Sequence, residues 1–247
     1  MPCYSREAAH AGRVAGVDEA GRGPWAGPVV AAAVVLDPKC IPDGLNDSKQ
    51  LSFERRVELW ATLVDCAEFG VGIASVAEID TINIHWATML AMERAVAALV
   101  REPQHVLIDG NRRPRWQRSC ETIVAGDALC VSIAAASIIA KVTRDRLMIA
   151  LAAQHDGYHW HTNMGYGTRD HARGLAALGV TPHHRRSFAP VAARLASELE
   201  PVPISLGQRS SPPRRRGPIR IDSLTCMGPR LRGGDDPAWV DPTPMPD

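Results

Sequence analysis

The chain has 247 residues, a formal net charge of +1, 45% apolar residues and 5% aromatics. That length suits one large domain or two small ones, the apolar share supports a sizeable core, and the near-neutral balance does not advertise nucleic-acid binding. No apolar run approaches the ~18 residues of a membrane span, and Met1-Pro2-Cys3-Tyr4-Ser5-Arg6 lacks the apolar stretch of a secretory signal, so a cytoplasmic protein is expected.

In chain order the first signals are strands. Val14-Ala15-Gly16-Val17-Asp18 runs into a glycine-rich turn, Glu19-Ala20-Gly21-Arg22-Gly23-Pro24, and residues 29–36 form an apolar run that predicts a strand buried on both faces. Ser52 is placed to cap a helix through about Ala67, with Val57, Trp60, Val64 and Ala67 on one stripe. A third strand is predicted around residues 70–76 and a long helix over residues 84–100. His105-Val106-Leu107-Ile108-Asp109-Gly110 and Thr122-Ile123-Val124-Ala125-Gly126-Asp127 are short strands that each end in an acid. Helices follow at roughly 131–153, 169–178 and 188–197, with Gly179 placed as the glycine after a helix end. Strands followed by alternating strands and helices predict an α/β fold, a mixed sheet flanked by helices.

Composition changes near residue 199. Residues 200–247 carry ten of the 19 prolines and seven arginines without periodicity, so they are expected to be a disordered Pro/Arg-rich tail. Residues 1–199 hold 21 Lys/Arg against 21 Asp/Glu. That neutrality conceals clusters: Arg112, Arg113, Arg115 and Arg118 in one loop, and His183-His184-Arg185-Arg186 as a second basic knot. The six cysteines include no C-x-x-C pair, which argues against a disulfide framework or a zinc site. His155, His159 and His161 have no partner acids at metal spacing and are expected on the surface or in loops.

Three predicted strands end in carboxylates: Asp18 with Glu19, Asp109, and Asp127. Any one of them alone reads as a turn residue. Together they lie where open α/β sheets gather their sites, outside the carboxyl ends of strands. Four converging carboxylates raise one another's pKa and call for a cation. An all-oxygen donor set suits Mg²⁺ or Mn²⁺, and two such ions about 4 Å apart serve phosphodiester chemistry. Because adjacent strand residues face opposite ways, Asp18 and Glu19 share a site only if the chain leaves strand geometry at Glu19. The glycine turn is not a dinucleotide fingerprint: its spacing is Gly21-x-Gly23-x-x-x-Gly27, and no Walker lysine is present.

The block Val17-Asp18-Glu19-Ala20-Gly21-Arg22-Gly23-Pro24 closely resembles ribonuclease HII, the bacterial type 2 ribonuclease H. The likeness continues through Leu45-Asn46-Asp47-Ser48-Lys49, Leu107-Ile108-Asp109-Gly110-Asn111, Gly126-Asp127, residues 134–145, Gly165-Tyr166-Gly167-Thr168 and His184-Arg185-Arg186-Ser187-Phe188. These blocks stand in family order over residues 14–195. The resemblance implies an RNase H-like five-stranded mixed sheet with a helical C-terminal substrate-binding part. It also implies endonucleolytic cleavage of RNA in RNA/DNA hybrids and incision 5′ of ribonucleotides embedded in duplex DNA, leaving 3′-hydroxyl and 5′-phosphate ends. Asp18, Glu19, Asp109 and Asp127 match the family's catalytic metal ligands. Gly21, Arg22 and Gly23 match its reader of the 2′-hydroxyl, Tyr166 the tyrosine packed on the neighbouring sugar, and Lys49 a phosphate contact; a core tyrosine and a solvated lysine are the plainer readings.

Ser137, Lys141, Arg144 and Asp145 share one helix face, lining the site or bridging to the sheet. The chain departs from the family at His159-Trp160 and Asn163-Met164, where a basic contact to the nucleic-acid backbone is expected to be lost. A monomer is expected. Competing readings are a junction resolvase or transposase-type nuclease sharing the acids, and a catalytically dead hybrid-binding module.

Overall fold

The structure is a computed structural model and describes residues 1–199; the expected tail, 200–247, lies outside them. The strands are β1 (Val14–Ala20), β2 (Val29–Val35), β3 (Glu68–Ala74), β4 (His105–Asp109) and β5 (Cys120–Ile123). They form one five-stranded sheet in the order β3-β2-β1-β4-β5. β1–β2 and β2–β3 are antiparallel, while β1–β4 and β4–β5 are parallel. The expected mixed sheet is therefore present. β2 is buried along its whole length, as its unbroken Val/Ala run requires of a strand covered on both faces.

The helices are α1 (Ser5–Ala8), α2 (Phe53–Cys66), α3 (Val76–Ala97), α4 (Val131–Gln154), α5 (Trp160–Asn163), α6 (Arg169–Leu178) and α7 (Ala189–Leu199). The two-residue alternation of the sheet divides the core into two layers. Ala15, Val17, Val29, Ala31 and Ala33 pack against Ala87, Ala91, Met92 and Ala95 of α3. On the opposite face Ala32 and Val34 meet Ala135, Ile138 and Ile139 of α4 together with Leu59 and Leu63 of α2. None of the α-helices of the described residues is long and apolar enough to cross a membrane. Among the described residues Cys3, Cys40, Cys66, Cys120 and Cys130 are free thiols.

Two helices differ from expectation. Ser52 does cap α2, its side chain accepting the Arg55 N–H, and Trp60 and Ala67 of the expected stripe pack against the core, but the residues buried deepest are Leu59 and Leu63, and Val64 is exposed. Leu59 and Leu63 have helical spacing too, and the core reaches round to both rows. α3 begins at Val76, with a full capping box between Ser75 and Glu78, and is interrupted at Asn83 (φ 65°). The Asn83 side chain then accepts the N–H groups of His85 and Trp86, so residue 84 starts a second helical segment.

The tip of β1 is set by its approach to α4. A Cβ on Gly16 would stand 2.2 Å from the Ser132 carbonyl carbon, so only a residue without a side chain lets strand and helix lie this close. Gly16→Ala is expected to lower stability by about 2 kcal/mol, seen as a lower urea midpoint at unchanged slope; an unchanged midpoint would show that α4 shifts freely.

Candidate active site

All four acids singled out in the sequence lie at the C-terminal ends of the parallel strands. Asp18 and Glu19 close β1, Asp109 closes β4, and Asp127 sits in the short 3-10 turn Gly126–Ala128 just after β5. The Gly126 N–H donates to Asp109 Oδ1 at 2.7 Å, tying the β4 acid to the β5 turn. β1 does not leave strand geometry at Glu19, contrary to expectation: Glu19 pairs with Ala31 and Ala20 with Val30. The two acids instead straddle the strand tip. Asp18 turns back to accept the Glu19 N–H at 2.7 Å, while Glu19 and Asp109 line a cleft with His85, Met89 and Met92 of α3. A gap beyond the strand end is reachable from both faces, so no break in pairing is required.

The acids disturb one another. Burial, then Glu19 and Asp109, push the Asp18 carboxyl well above the ordinary range. Burial also raises Glu19, against the opposing pull of Arg22, and burial followed by Asp47 raises Asp127. No three of the four bring donor atoms within 4.8 Å of one another, so they frame a gap rather than close on a point. Besides Arg22, which pairs with Glu19 at 3.2 Å, the cation facing them is Lys49. Burial alone would lower its ammonium, but Asp47, Asp18, Asp127 and Asp109 together outweigh burial and hold it above its usual value. Asp47, beside Asp127, is a member of this group that strand-end reasoning passes over because it lies in the loop before α2. The donors fit a hard divalent cation: all are oxygens, three are carboxyls held above their usual pKa, and an ammonium stands among them.

Next to the acids, the glycine turn is held from behind by two guanidiniums. Arg185 donates to the carbonyls of Gly21, Arg22, Gly27 and Pro28 at 2.5 to 3.2 Å. Arg144, from α4, donates to Ala26, Pro28 and Met164. Both side chains are almost fully buried and none of the described carboxylates pairs with them. Burial lowers Arg144 to about 10 and Arg185 to about 9, so both stay charged at neutral pH. Gly21 makes this packing feasible: its φ is +96° and a Cβ there would strike the Arg144 side chain at 1.9 Å. With the Gly21 and Arg22 carbonyls turned inward, no acceptor among the described residues meets the N–H of Arg22 or Gly23.

Tyr166 faces this turn. It is 48% exposed, which removes the core reading, and a Cβ on Gly23 would touch its ring at 3.4 Å. Its loop is fastened by neutral histidines. His171 Nδ1 donates to the Tyr166 carbonyl, and His171 Nε2 accepts from Trp160 Nε1 and from His184 Nε2. His184 Nδ1 accepts the Thr181 N–H. Burial, then the neighbouring His171, pushes His184 down to about 3, so it is uncharged at neutral pH.

The remaining sequence expectations divide. The second basic knot is a correction, since His184 and Arg185 are wholly buried and serve the backbone. Arg112, by contrast, is exposed beside Glu19, Arg22 and Asp109, while Arg115 stacks on Trp86 at 4.0 Å, Arg113 bonds Cys120 Sγ and Arg118 pairs with Glu102, so of the first cluster Arg112 stands at the acids. Of the polar face on α4, Ser137 Oγ accepts the Ser48 N–H, Lys141 pairs with Asp145, and Lys141 and Arg144 line the same cleft as Asp18, Lys49 and Tyr166. The face thus lines the cleft, and its bonds run to the loops at Ser48, Ala26, Pro28 and Met164 rather than bridging to the sheet. At the family departures, Trp160 is buried and Asn163 bonds the Tyr158 carbonyl and the Gly165 N–H, so these residues build the loop. His159 and His161 are exposed, as expected.

A five-stranded sheet in this order, with acids at the ends of β1, β4 and β5, defines an RNase H-like nuclease. The sequence comparisons give the particular branch. The family profile described as Ribonuclease HII matches residues 15–191. A ribonuclease HII of Rhizorhabdus wittichii is 60% identical over 191 residues, covering 77% of this chain and 95% of the relative. That of Parvibaculum lavamentivorans is 60% identical over 195 residues, 78% of this chain and 72% of the relative. Among solved structures, the ribonuclease H2 of Pyrococcus horikoshii superposes with a TM-score of 0.65 at 28% identity, covering 75% of this chain and 98% of that one. The chain belongs to the ribonuclease HII family, and is thus an endonuclease acting on the RNA of RNA/DNA hybrids.

Two outcomes follow from this geometry. Arg185→Lys replaces a fork serving four carbonyls by one compact ammonium, and should cost about 3 kcal/mol in urea unfolding; a loss below ~1 kcal/mol would mean that the turn holds itself. Asp18 binds its proton more tightly folded than unfolded, where the value is 3.8, so ionising it weakens the fold as pH rises from 3.8 through the raised folded value. In metal-free buffer at pH 7, Asp18→Asn should therefore melt above the wild type, with the gap closing as pH falls toward 3.8. A variant melting below wild type at pH 7 would contradict the assignment.

Proposed function

We propose that the chain incises duplex DNA on the 5′ side of embedded ribonucleotides, as well as cutting RNA/DNA hybrids, using two divalent ions held by Asp18, Glu19, Asp109 and Asp127. The carrying observation is the turn at Gly21-Arg22-Gly23: its carbonyls are taken by Arg185, leaving the Arg22 and Gly23 amides free beside the acids. A 2′-hydroxyl both donates and accepts, and it is the group that distinguishes RNA from DNA. Free amides of a turn that glycine lets approach closely suit its oxygen. Tyr166, exposed across from Gly23, is positioned to pack on the sugar that follows, where a deoxyribose fits best.

The acid set supports Mg²⁺ or Mn²⁺ over zinc. When bound, the ions supply activation of a water and stabilisation of the leaving oxygen, which yields 3′-hydroxyl and 5′-phosphate ends. Lys49 neutralises the acids and contacts a substrate phosphate, and the Arg112–Arg118 loop provides a basic rim for the duplex. Residues 1–199 form the catalytic domain in this reading, and the 200–247 tail is dispensable. In this reading the protein acts as a monomer. The activity assigns the protein to ribonucleotide removal during DNA replication and repair in the cytoplasm.

The test is a DNA duplex carrying one ribonucleotide, incubated with Mg²⁺ or Mn²⁺. It should be nicked 5′ of that residue while an all-DNA duplex and a four-way junction survive; equal cutting of all three would favour a resolvase-type nuclease. Asp109→Asn should lose activity by about 10²-fold or more yet keep hybrid binding, and unchanged cleavage would remove Asp109 from the site.

A further inference from the structure

A second group of donors lies at the opposite end of the sheet. His105 opens β4, Glu121 lies in β5, and His10 precedes β1. One ligand atom from each falls within 4.8 Å of the others, and among the described residues this is the only such trio. Parallel pairing sets Val106 beside Cys120 and Leu107 beside Glu121, so His105, Ser119 and Glu121 share one face of the sheet. The His10 ring stacks on His105 with centroids 3.6 Å apart and planes 13° from parallel.

The donors are prepared differently from an ordinary surface cluster. His105 Nδ1 stands 2.8 Å from Ser119 Oγ. Its Nε2 is buried and meets no hydrogen-bond partner. An orphaned buried N–H is costlier than an orphaned lone pair, so the favoured tautomer has Nδ1–H donated to Ser119 and the Nε2 lone pair free. Such a hydrogen bond behind an imidazole is the arrangement that orients a metal ligand. Arg6 holds Glu121 Oε1 at 2.9 Å, leaving Oε2 directed to His10 Nε2 at 3.9 Å.

We propose that His10, His105 and Glu121 form a site for a Zn²⁺-class transition-metal ion, separate from the catalytic acids, which pins the N-terminal segment to β4 and β5. Two imidazoles and one carboxylate select zinc over Mg²⁺, whose preference is for oxygen. Tetrahedral zinc–nitrogen bonds of about 2.0–2.1 Å place neighbouring donors about 3.3 Å apart, so binding draws each inward by about 1 Å and splays the stacked rings. His105 and Asp109 stand at opposite ends of β4, four residue steps or about 13 Å apart along the strand. The two sites are thus filled independently.

Zn²⁺ alone, titrated calorimetrically into the full chain, tests this. Wild type should bind one zinc ion with an affinity at least about tenfold above that of His10→Ala, and Glu121→Gln should weaken it likewise. Asp109→Asn should retain the binding. Zinc at about a hundredfold excess over its Kd should raise the wild-type Tm by about 5 °C or more, and that of His10→Ala by much less. His10 lies in a loop outside the core, and Mg²⁺-supported hybrid cleavage by His10→Ala should be unchanged. Equal zinc affinity in wild type and His10→Ala, or absence of zinc binding to wild type, overturns the proposal. So does loss of the binding in Asp109→Asn alone, which would place the zinc among the catalytic acids. Loss of cleavage in His10→Ala would overturn the separateness of the two sites.

Discussion

The arrangement depends on a contact that runs against the usual economy of charge: two guanidiniums buried with carbonyl oxygens and no carboxylate. Arg144 and Arg185 between them take carbonyls of Gly21, Arg22, Ala26, Gly27, Pro28 and Met164. A peptide carbonyl carries only a partial charge, so several are needed to offset the desolvation of one cation. That requirement shapes the chain: a segment able to surround a guanidinium must curl, and its carbonyls must point the same way. The turn is therefore dictated less by its own sequence than by the cations it wraps. The free amides are the other side of the same peptide planes.

The acids sit in a complementary situation. They are gathered by the parallel β1–β4–β5 part of the sheet, where neighbouring strand ends bring the adjacent pair Asp18 and Glu19 together with Asp109 and Asp127, about 90 and 110 residues further along the chain. Their mutual repulsion destabilises the protein as it stands, and Lys49 relieves part of it. Folding energy is held by the alanine-rich core and the arginine clamp, which lets the strand tips carry an unfavourable charge arrangement. A stretch with 21 Lys/Arg against 21 Asp/Glu can thus contain a cluster of acids with Arg112 beside it, and bulk charge conceals both.

What was legible in the sequence follows from local physics. The acids closing β1 and β4, the buried Val/Ala run of β2 and the Ser52 cap are short-range patterns that hold, whereas β5 stops at Ile123 and its expected terminal acid, Asp127, follows in a 3-10 turn. What failed was tertiary. Leu59 and Leu63 have helical spacing like Val57, Trp60 and Val64, and nothing within α2 says that the leucines are buried deepest while Val64 is left exposed. Arg185, beside two histidines and a second arginine, looks like part of an exposed basic knot, because its partners are backbone carbonyls and leave no side-chain signature. Asp18 and Glu19 were expected to need a break in the strand; at a strand tip both faces open on the same space. Tyr166 and the glycine turn were recognisable through family likeness, but the histidine pair that fastens the Tyr166 loop was not, since its hydrogen bonds join residues 166, 171, 181 and 184 through the fold.

The arginine clamp also has a consequence in time. Arg185 meets Gly21 across a separation of 164 residues, and Gly27 across 158. All four acids, by contrast, lie at or before residue 127. A chain emerging from the ribosome has its carboxylates made long before the guanidinium that curls the turn beside them. Domains generally fold as units, and distant pairings form late. During synthesis the nascent chain holds these carboxylates before the clamp that curls the turn beside them can close, a built-in delay between making the acids and completing their surroundings.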